Sequence, residues 1–259
     1  MEYAFIKTQI SDRKGTIILN RPDKKNALNA NVVMELKDAF SQLQQSKDVK
    51  VIILRASGTV FSAGADLAYL QLLQKNSYED NLKDSNHLKE LYLQIYTSQK
   101  PVIAQVQGHA IAGGCGLAAV CDFVFSSNTA NFGYTEVRIG FIPALVMVFL
   151  LRKIGEGRAK ELLLGGNLID AVTAQQYGLI NYITTSEDLE PAVESFADAL
   201  VTKNSASSMR MTKEMITGIG SMSLDQALTY AAEMNAKARS TEDCKKGIEA
   251  FLNKESLMW

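Results

Sequence analysis

Two glycine-rich segments are the parts of this 259-residue sequence best suited to chemistry. One spans Gln107 to Ala118 and the other Val60 to Leu67, and each follows a strand-like run and leads into a helix-like one. Glycine lets a ligand approach the backbone closely, and the first N–H groups of a helix attract negative charge. Two such junctions in one α/β layer could aim two N–H donors at one point, which is how an oxyanion hole stabilises a carbonyl oxygen. The structural alternative is a pair of tight connections, since glycine is common in turns.

The same region also satisfies a dinucleotide-binding pattern. Gly114 to Ala119 fits G-x-G-x-x-A, and Glu136 follows the second glycine by 20 residues. However, the preceding strand-like run ends at Val106, several residues before these glycines, whereas the turn of a dinucleotide fold is immediate. The next strand-like run ends at Phe125, well before the acidic residue. We therefore expect no nicotinamide cofactor here.

Composition and charge exclude several classes of protein. Apolar residues make up 47% of the chain and charged residues 21%, which is typical of a globular protein. A net charge of −1 provides no field that would attract nucleic acid or an anionic membrane. Three cysteines and two histidines are too few for a disulfide scaffold or a dedicated zinc site. The sequence also lacks a signal-peptide pattern and a membrane-spanning run, so we expect a cytoplasmic protein without a metal.

Hydrophobic patterning predicts an α/β front part followed by a helical tail. Short apolar runs such as Val51 to Leu54 are typical of strands covered on both faces. Asn29 or Asn31 is expected to cap the first helix, and Asp66 a later one. The polar segment 75–86 lacks a period and is predicted to be a mobile loop. After residue 142 strand signals fade and helix-like patterns follow one another, so we predict one domain with a core over residues 1–200 and a helical region over 201–259.

A series of short motifs runs along the whole chain in a fixed order. They are Asn20-Arg21-Pro22, Asn26 to Asn29, Phe61 to Leu67, Lys100 to Ala104, Gly108 to Asp122, Phe132 to Glu136, and Phe251 to Lys254. In this order they resemble the enoyl-CoA hydratase/isomerase (crotonase) superfamily over nearly the whole sequence.

This resemblance implies a crotonase-like spiral of ββα units with a C-terminal helical region that forms trimers or dimers of trimers. It implies an acyl-CoA substrate, or an acyl-carrier thioester, and no cofactor beyond the coenzyme A of the substrate. The oxyanion-hole donors would be the N–H groups of Ala65 and Gly113, with Glu136 as the general acid/base. The implied substrate-binding positions are Lys24, Lys25, Ala27, Ala63, Gly64, Asp66 and Lys254. The other interpretation of these lysines is a solvated surface.

The sequence departs from the family pattern at one position. The resemblance implies that hydratases use two glutamates, and Gly116 stands where the first is expected. One carboxylate can still move a proton between two carbons, or add and remove water on one face. Tyr69, Tyr134 and Asp66 are the candidates to hold a water in place of the missing glutamate.

The bulky segment Leu145 to Leu151 adds a further likeness. Together with Gly116 it is similar to dehydratases of branched 3-hydroxy-3-methylglutaryl thioesters, and plain helix core is the alternative. We predict an enzyme that reversibly adds water to a 2-enoyl thioester through an enolate, a lyase rather than an isomerase. A Δ3,Δ2-enoyl-CoA isomerase, the branched-acyl dehydratase and an inactive CoA-binding scaffold are the alternatives.

Overall fold

Ten strands form two sheets in the computed structural model, which describes residues 3–259. The strands are β1 Ile6–Ser11, β2 Lys14–Leu19, β3 Val51–Ala56, β4 Val60–Ser62, β5 Val102–Val106, β6 His109–Ile111, β7 Phe123–Ser127, β8 Asn131–Gly133, β9 Leu168–Asp170 and β10 Tyr182–Thr184. A six-stranded sheet has the order β1-β2-β3-β5-β7-β10, and a four-stranded sheet the order β4-β6-β8-β9.

Ten α-helices accompany the strands within the described residues. They are α1 Ala30–Gln45, α2 Leu67–Leu73, α3 Tyr78–Tyr96, α4 Gly113–Ala119, α5 Ala144–Gly165, α6 Ala171–Gln176, α7 Leu189–Lys203, α8 Ala206–Ile219, α9 Leu224–Ser240 and α10 Glu242–Leu252. Asn29 and Asp66 cap α1 and α2 as predicted, each accepting a hydrogen bond from a backbone N–H of the first turn. Non-helical backbone at Gly155 interrupts α5.

The chain repeats a ββα unit, and this repetition makes the spiral. The pairs β3–β4, β5–β6 and β7–β8 each place their first strand in the large sheet and their second in the small sheet before a helix follows. From β2 to β10 the neighbouring strands of the large sheet are parallel. The architecture confirms the predicted fold class, and it places the second-strand ends at one edge, where α2 and α4 begin.

Alternation along the central strands divides the core into two layers. Ile52 and Leu54 of β3 face the large cluster that includes α1, α3 and α4, whereas Val51 and Ile53 face a smaller cluster under α7. All of these side chains are buried, as expected for a parallel sheet covered on both faces.

Two sequence-based expectations about elements were wrong. The segment 75–86 is not a loop, because α3 begins at Tyr78 with Ser77 as its N-cap. Its polar pattern reflects a helix whose first turns are largely solvated. The region after residue 142 is not purely helical either, since β9 pairs with β8 and β10 pairs with β7. Within residues 3–259 no helix is both long and apolar enough to cross a membrane.

Candidate active site

A cavity of about 330 Å³ lies where the two glycine-rich junctions meet. Ala63 and Ala65 of the first junction, Gly113 of the second, and Glu136 all line it. The rest of its wall is mostly apolar and includes Leu28, Val33, Leu70, Leu88, Ile139, Phe141, Ile142 and Val146. A largely apolar cavity with a few convergent polar groups is typical of a small-molecule site.

In the first junction, hydrogen bonds made by the residues on either side of Ala65 fix the position of its amide. Leu28 N donates to Gly64 O over 2.7 Å, and Asp66 N donates to Leu28 O over 2.8 Å. The N–H of Ala65, which lies between them, has no acceptor within residues 3–259. Because Ala65 is exposed and lines the cavity, this N–H is available to a ligand.

The second junction offers the Gly113 amide at the start of α4. The first N–H groups of a helix have no intrahelical partner, and Gly113 N has no other acceptor in the described chain. Gly64 has a φ of +86°, and a β-carbon on it would lie 3.4 Å from Gly113 N and 2.9 Å from the β-carbon of Ala112. Only glycine at position 64 therefore lets the two junctions touch.

Glu136 brings a carboxylate to the cavity wall that Ala65 and Gly113 also line. It begins a 3₁₀ helix, Glu136–Ile139, that follows β8. Its Oε2 is buried without a hydrogen-bond partner in the described structure. Burial raises the pKa of Glu136 above its ordinary value, which suits a group that must both accept and return a proton.

Tyr92 joins the site although sequence reasoning did not select it. Its hydroxyl donates a 2.8 Å hydrogen bond to the carbonyl oxygen of Gly113. The side chain is fully buried, and burial together with the charge of Glu136 raises its pKa, so the hydroxyl stays neutral. A tyrosine on the buried stripe of a helix was indistinguishable from core in the sequence alone.

Gly116 lies inside α4, where nothing larger fits. A β-carbon at this position would overlap Val146 Cγ1 of α5 and lie 3.4 Å from Tyr92 Oη. Both Gly114 and Gly116 are interior to the helix and packed against neighbours, so the G-x-G-x-x-A match is not a dinucleotide turn. This agrees with the sequence-based rejection of that motif.

The remaining predicted binding residues fall into two groups. Ala27 is buried, and the carboxylate of Asp66 already accepts hydrogen bonds from Ala68 N and Arg21 Nη2. Lys24 and Lys25 are exposed beside the first junction, where Lys25 O accepts a 3.0 Å hydrogen bond from Ala63 N. Lys254 is also exposed, but it follows α10 and does not line the cavity of its own chain.

Tyr69, Tyr134 and Asp66, the candidates to hold a water, have different surroundings in the structure. Tyr134 is fully buried and does not line the cavity, and Asp66 is already bonded as described. Tyr69 does line the cavity, but its hydroxyl donates to Asp84 of α3. Asp84 was missed because its segment was taken for a loop. The signal for the helix was Ser77 followed by Glu79 and Asp80, an N-cap with an acidic first turn.

The site and fold can now be compared with known proteins. A model of the enoyl-CoA hydratase/isomerase family matches residues 12–259. The chain is 40% identical over 238 residues to a Thermus thermophilus protein classed with the enoyl-CoA hydratases, covering 92% of this chain and 94% of that one. It is 33% identical over 257 residues to the crotonyl-CoA hydratase of Syntrophomonas wolfei, covering 98% and 97%.

Solved structures of enoyl-CoA hydratases are also similar to this chain. An enoyl-CoA hydratase from Shewanella pealeana superposes with a TM-score of 0.94 at 29% identity, covering 100% of this chain and 97% of that one. One from Mycobacterium smegmatis has a TM-score of 0.93 at 28% identity, covering 99% of both chains. The fold and its cavity define the crotonase class of α/β spirals. The chain belongs to the enoyl-CoA hydratase/isomerase family.

Proposed function

We propose that this protein is an enoyl-CoA hydratase that reversibly adds water to a 2-enoyl thioester. The observation that carries the proposal is the meeting of two unpartnered backbone N–H groups, Ala65 and Gly113, with the buried carboxylate of Glu136 in one cavity. Its similarity to the Syntrophomonas wolfei crotonyl-CoA hydratase supports the same reaction.

The proposed mechanism uses one carboxylate for both proton transfers. Glu136 takes a proton from water as the water oxygen bonds to Cβ, and the electron pair of the double bond moves to the thioester carbonyl. Ala65 and Gly113 stabilise the enolate oxygen by hydrogen bonding. Protonated Glu136 then gives its proton to Cα, which restores the carboxylate and completes the 3-hydroxyacyl thioester. Dehydration follows the same steps in reverse.

The charge of the substrate must be met locally, because the net charge of the chain is only −1. Lys24 and Lys25 lie beside Ala63 and are proposed to meet the phosphates of coenzyme A, with Lys254 contributing from the tail of the same or a neighbouring subunit. No cofactor besides the coenzyme A of the substrate is proposed. Trimers or dimers of trimers and a cytoplasmic location remain predictions.

Turnover of crotonyl-CoA tests the proposal directly. Addition of water removes the conjugated double bond, so the ultraviolet absorbance of the enoyl thioester should fall when enzyme is added. Glu136→Gln should slow this loss by about 10²–10⁴-fold, because glutamine cannot accept the proton from water. An unchanged rate in Glu136→Gln would refute the assignment of the base. Binding of crotonyl-CoA without turnover in the wild type would favour a CoA-binding scaffold.

One observation favours isomerisation as the second candidate. Val146 closes the space above Gly116, so among the described residues the cavity wall near the two amides carries Glu136 as its carboxylate. A single carboxylate is sufficient to take a proton from Cα and return it at Cγ. Assaying a 3-enoyl-CoA separately decides between the two: turnover of that ester without loss of crotonyl-CoA would establish a Δ3,Δ2-enoyl-CoA isomerase.

A further inference from the structure

The ionisable side chains of the cavity wall are acidic or neutral. Asp84 and Glu136 line it, together with His87, and no lysine or arginine does so among the described residues. Asp84 accepts a hydrogen bond from the Tyr69 hydroxyl and has no ion pair within residues 3–259. The neighbouring Lys83 is exposed and faces Asp80 instead, at 3.9 Å.

His87 makes its hydrogen bonds to residues other than Asp84. Its Nε2 lies 3.1 Å from Ala30 O, an acceptor, so this nitrogen carries the proton. Its Nδ1 lies 3.2 Å from Lys37 Nζ, a donor, so this nitrogen accepts. Both ring nitrogens are thus hydrogen-bonded to groups other than Asp84, and the Lys37 ammonium is directed at His87 and Glu90.

Asp84 lies within range of the acyl part of a bound thioester. It precedes Tyr92 by eight residues on α3, which is about 12 Å along a helix axis. Tyr92 in turn contacts Gly113, one of the two proposed carbonyl ligands. An acyl chain that starts at the amides and continues along α3 therefore approaches the Asp84 carboxylate through an apolar space, where charges are weakly screened.

We propose that Asp84 is a specificity-determining residue that admits acyl chains with a neutral end and excludes those that end in a carboxylate. A second carboxylate in this cavity would face Asp84 and Glu136, with no lysine or arginine among the described lining residues. This inference rests on the proposed function, which supplies the enoyl thioester as substrate. It adds the class of acyl group that the cavity accepts. It also argues against the branched 3-hydroxy-3-methylglutaryl substrate, whose acyl group ends in a carboxylate.

A pair of matched thioesters tests this. Hex-2-enoyl-CoA and 2,3-dehydroadipyl-CoA both carry six-carbon acyl groups, and only the second ends in a carboxylate. We expect the wild type to prefer the hexenoyl ester in kcat/KM by at least about tenfold. Asp84→Asn keeps an acceptor for the Tyr69 hydroxyl and removes the charge, so it should reduce the preference by about tenfold. Asp80→Asn, an exposed acid on the same helix, should leave the preference unchanged.

Binding separates failure of this inference from failure of the proposed function. The dissociation constants of the saturated hexanoyl-CoA and adipyl-CoA, measured by calorimetry, need no catalysis. Equal wild-type affinity for the two, or a ratio unchanged in Asp84→Asn, would overturn the role of Asp84. If neither enoyl ester is turned over, the hydratase proposal fails, and the affinity ratio of the two saturated esters still decides specificity. If Asp84→Asn fails to fold, equal wild-type affinity for the two saturated esters would still overturn the inference.

Discussion

Val146 fills the space directly above Gly116. The β-carbon of Val146 lies 3.0 Å from the point where a β-carbon at position 116 would stand, and its Cγ1 would overlap it. Val146 is buried on α5, and Gly116 is buried inside α4. The position where the family resemblance implies a first glutamate is therefore closed by a side chain from the next ββα unit.

Gly116→Ala should lower the free energy of unfolding by about 1–3 kcal/mol, the usual cost of forcing a methyl group into a packed core. The added methyl group can be accommodated once the valine is shortened. In a Val146→Ala background the same substitution should therefore cost much less, with a coupling energy of about 0.5–3 kcal/mol. Chemical denaturation of the two single variants and the double variant measures this coupling.

Gly157→Ala is the matched control for this cycle. Gly157 is also a helical glycine, but a β-carbon there meets nothing within 4 Å. Alanine should stabilise this site by about 0.5–1 kcal/mol through its higher helix propensity. If the changes in unfolding free energy caused by Gly116→Ala and Val146→Ala are additive in the double variant, the two side chains do not compete for one space.

Glu136→Gln should reduce kcat by about 10²–10⁴-fold, the contribution typical of general acid–base catalysis. Burial raises the pKa of Glu136, and the carboxylate form starts both directions of the proposed reaction. The acid limb of the wild-type kcat/KM profile should therefore have its midpoint above 4.5, the ordinary value for glutamic acid. A midpoint at or below this value would contradict the burial of the base.

The same substitution should stabilise the protein at neutral pH. Because the folded-state pKa of Glu136 is raised, the protonated form favours folding, and this advantage is lost as the pH rises through the folded pKa. Glutamine mimics the protonated form, so Glu136→Gln should have a higher Tm than the wild type near pH 7. The difference should disappear near about pH 4, where the wild type is also protonated.

Tyr92→Phe should lower kcat by roughly three- to tenfold, the value of one hydrogen bond, and leave KM within about twofold. The lost bond is the one that fixes the carbonyl of Gly113 beside the proposed oxyanion hole. A bound dimethylaminocinnamoyl-CoA should show a smaller red shift of its absorbance, because its carbonyl is less polarised. A purely structural role would lower Tm and leave this shift intact.

Tyr96→Phe serves as the control for Tyr92→Phe. Tyr96 lies one turn further along α3. The rings of Tyr92 and Tyr96 both pack on Phe149, with centroids 6.2 and 5.2 Å from that of Phe149. Within residues 3–259 it is the Tyr92 hydroxyl, and not that of Tyr96, that bonds to the second junction. Equal effects of the two substitutions would show that loss of a tyrosine hydroxyl on α3, rather than the bond to Gly113, causes the change.

Short-range sequence patterns predicted most of the helices and strands. Contacts between segments that are far apart in the sequence could not be predicted from these patterns. The start of α1 was predicted at Asn29 or Asn31, and Asn29 is the N-cap, because an N-cap is decided within one turn. In contrast, β9 and β10 are three-residue strands that exist through pairing with β8 and β7. The sequence placed Val146 on a helix and Gly116 in a glycine-rich segment that leads into one. Only the packing of α4 against α5 shows that Val146 excludes a side chain at position 116. Asp84 was hidden for a related reason, since its helix exposes polar residues for several turns.

Replacing Lys24 and Lys25 together by alanine should raise KM for crotonyl-CoA by about threefold, since each exposed charge contributes only a few tenths of a kcal/mol. The effect should shrink at high salt, and crotonyl-pantetheine, which lacks the nucleotide phosphates, should show no change. The double replacement of Lys7 and Lys47, both exposed and outside the cavity wall, controls for net charge. An equal rise in KM for both thioesters would place the lysines away from the phosphates.

Lys213→Met should destabilise the whole chain by roughly 3 kcal/mol, because it leaves a partly buried carboxylate without its partner. Lys213 of α8 donates to Asp122 Oδ2 over 2.6 Å and so ties the region 201–259 to the start of β7. Thermal unfolding should remain a single transition at a lower Tm, as expected if core and tail form one domain. Lys245→Met, which removes an exposed pair with Glu242, should change stability by less than about 0.5 kcal/mol. Two separate transitions in either protein would show instead that the tail unfolds independently.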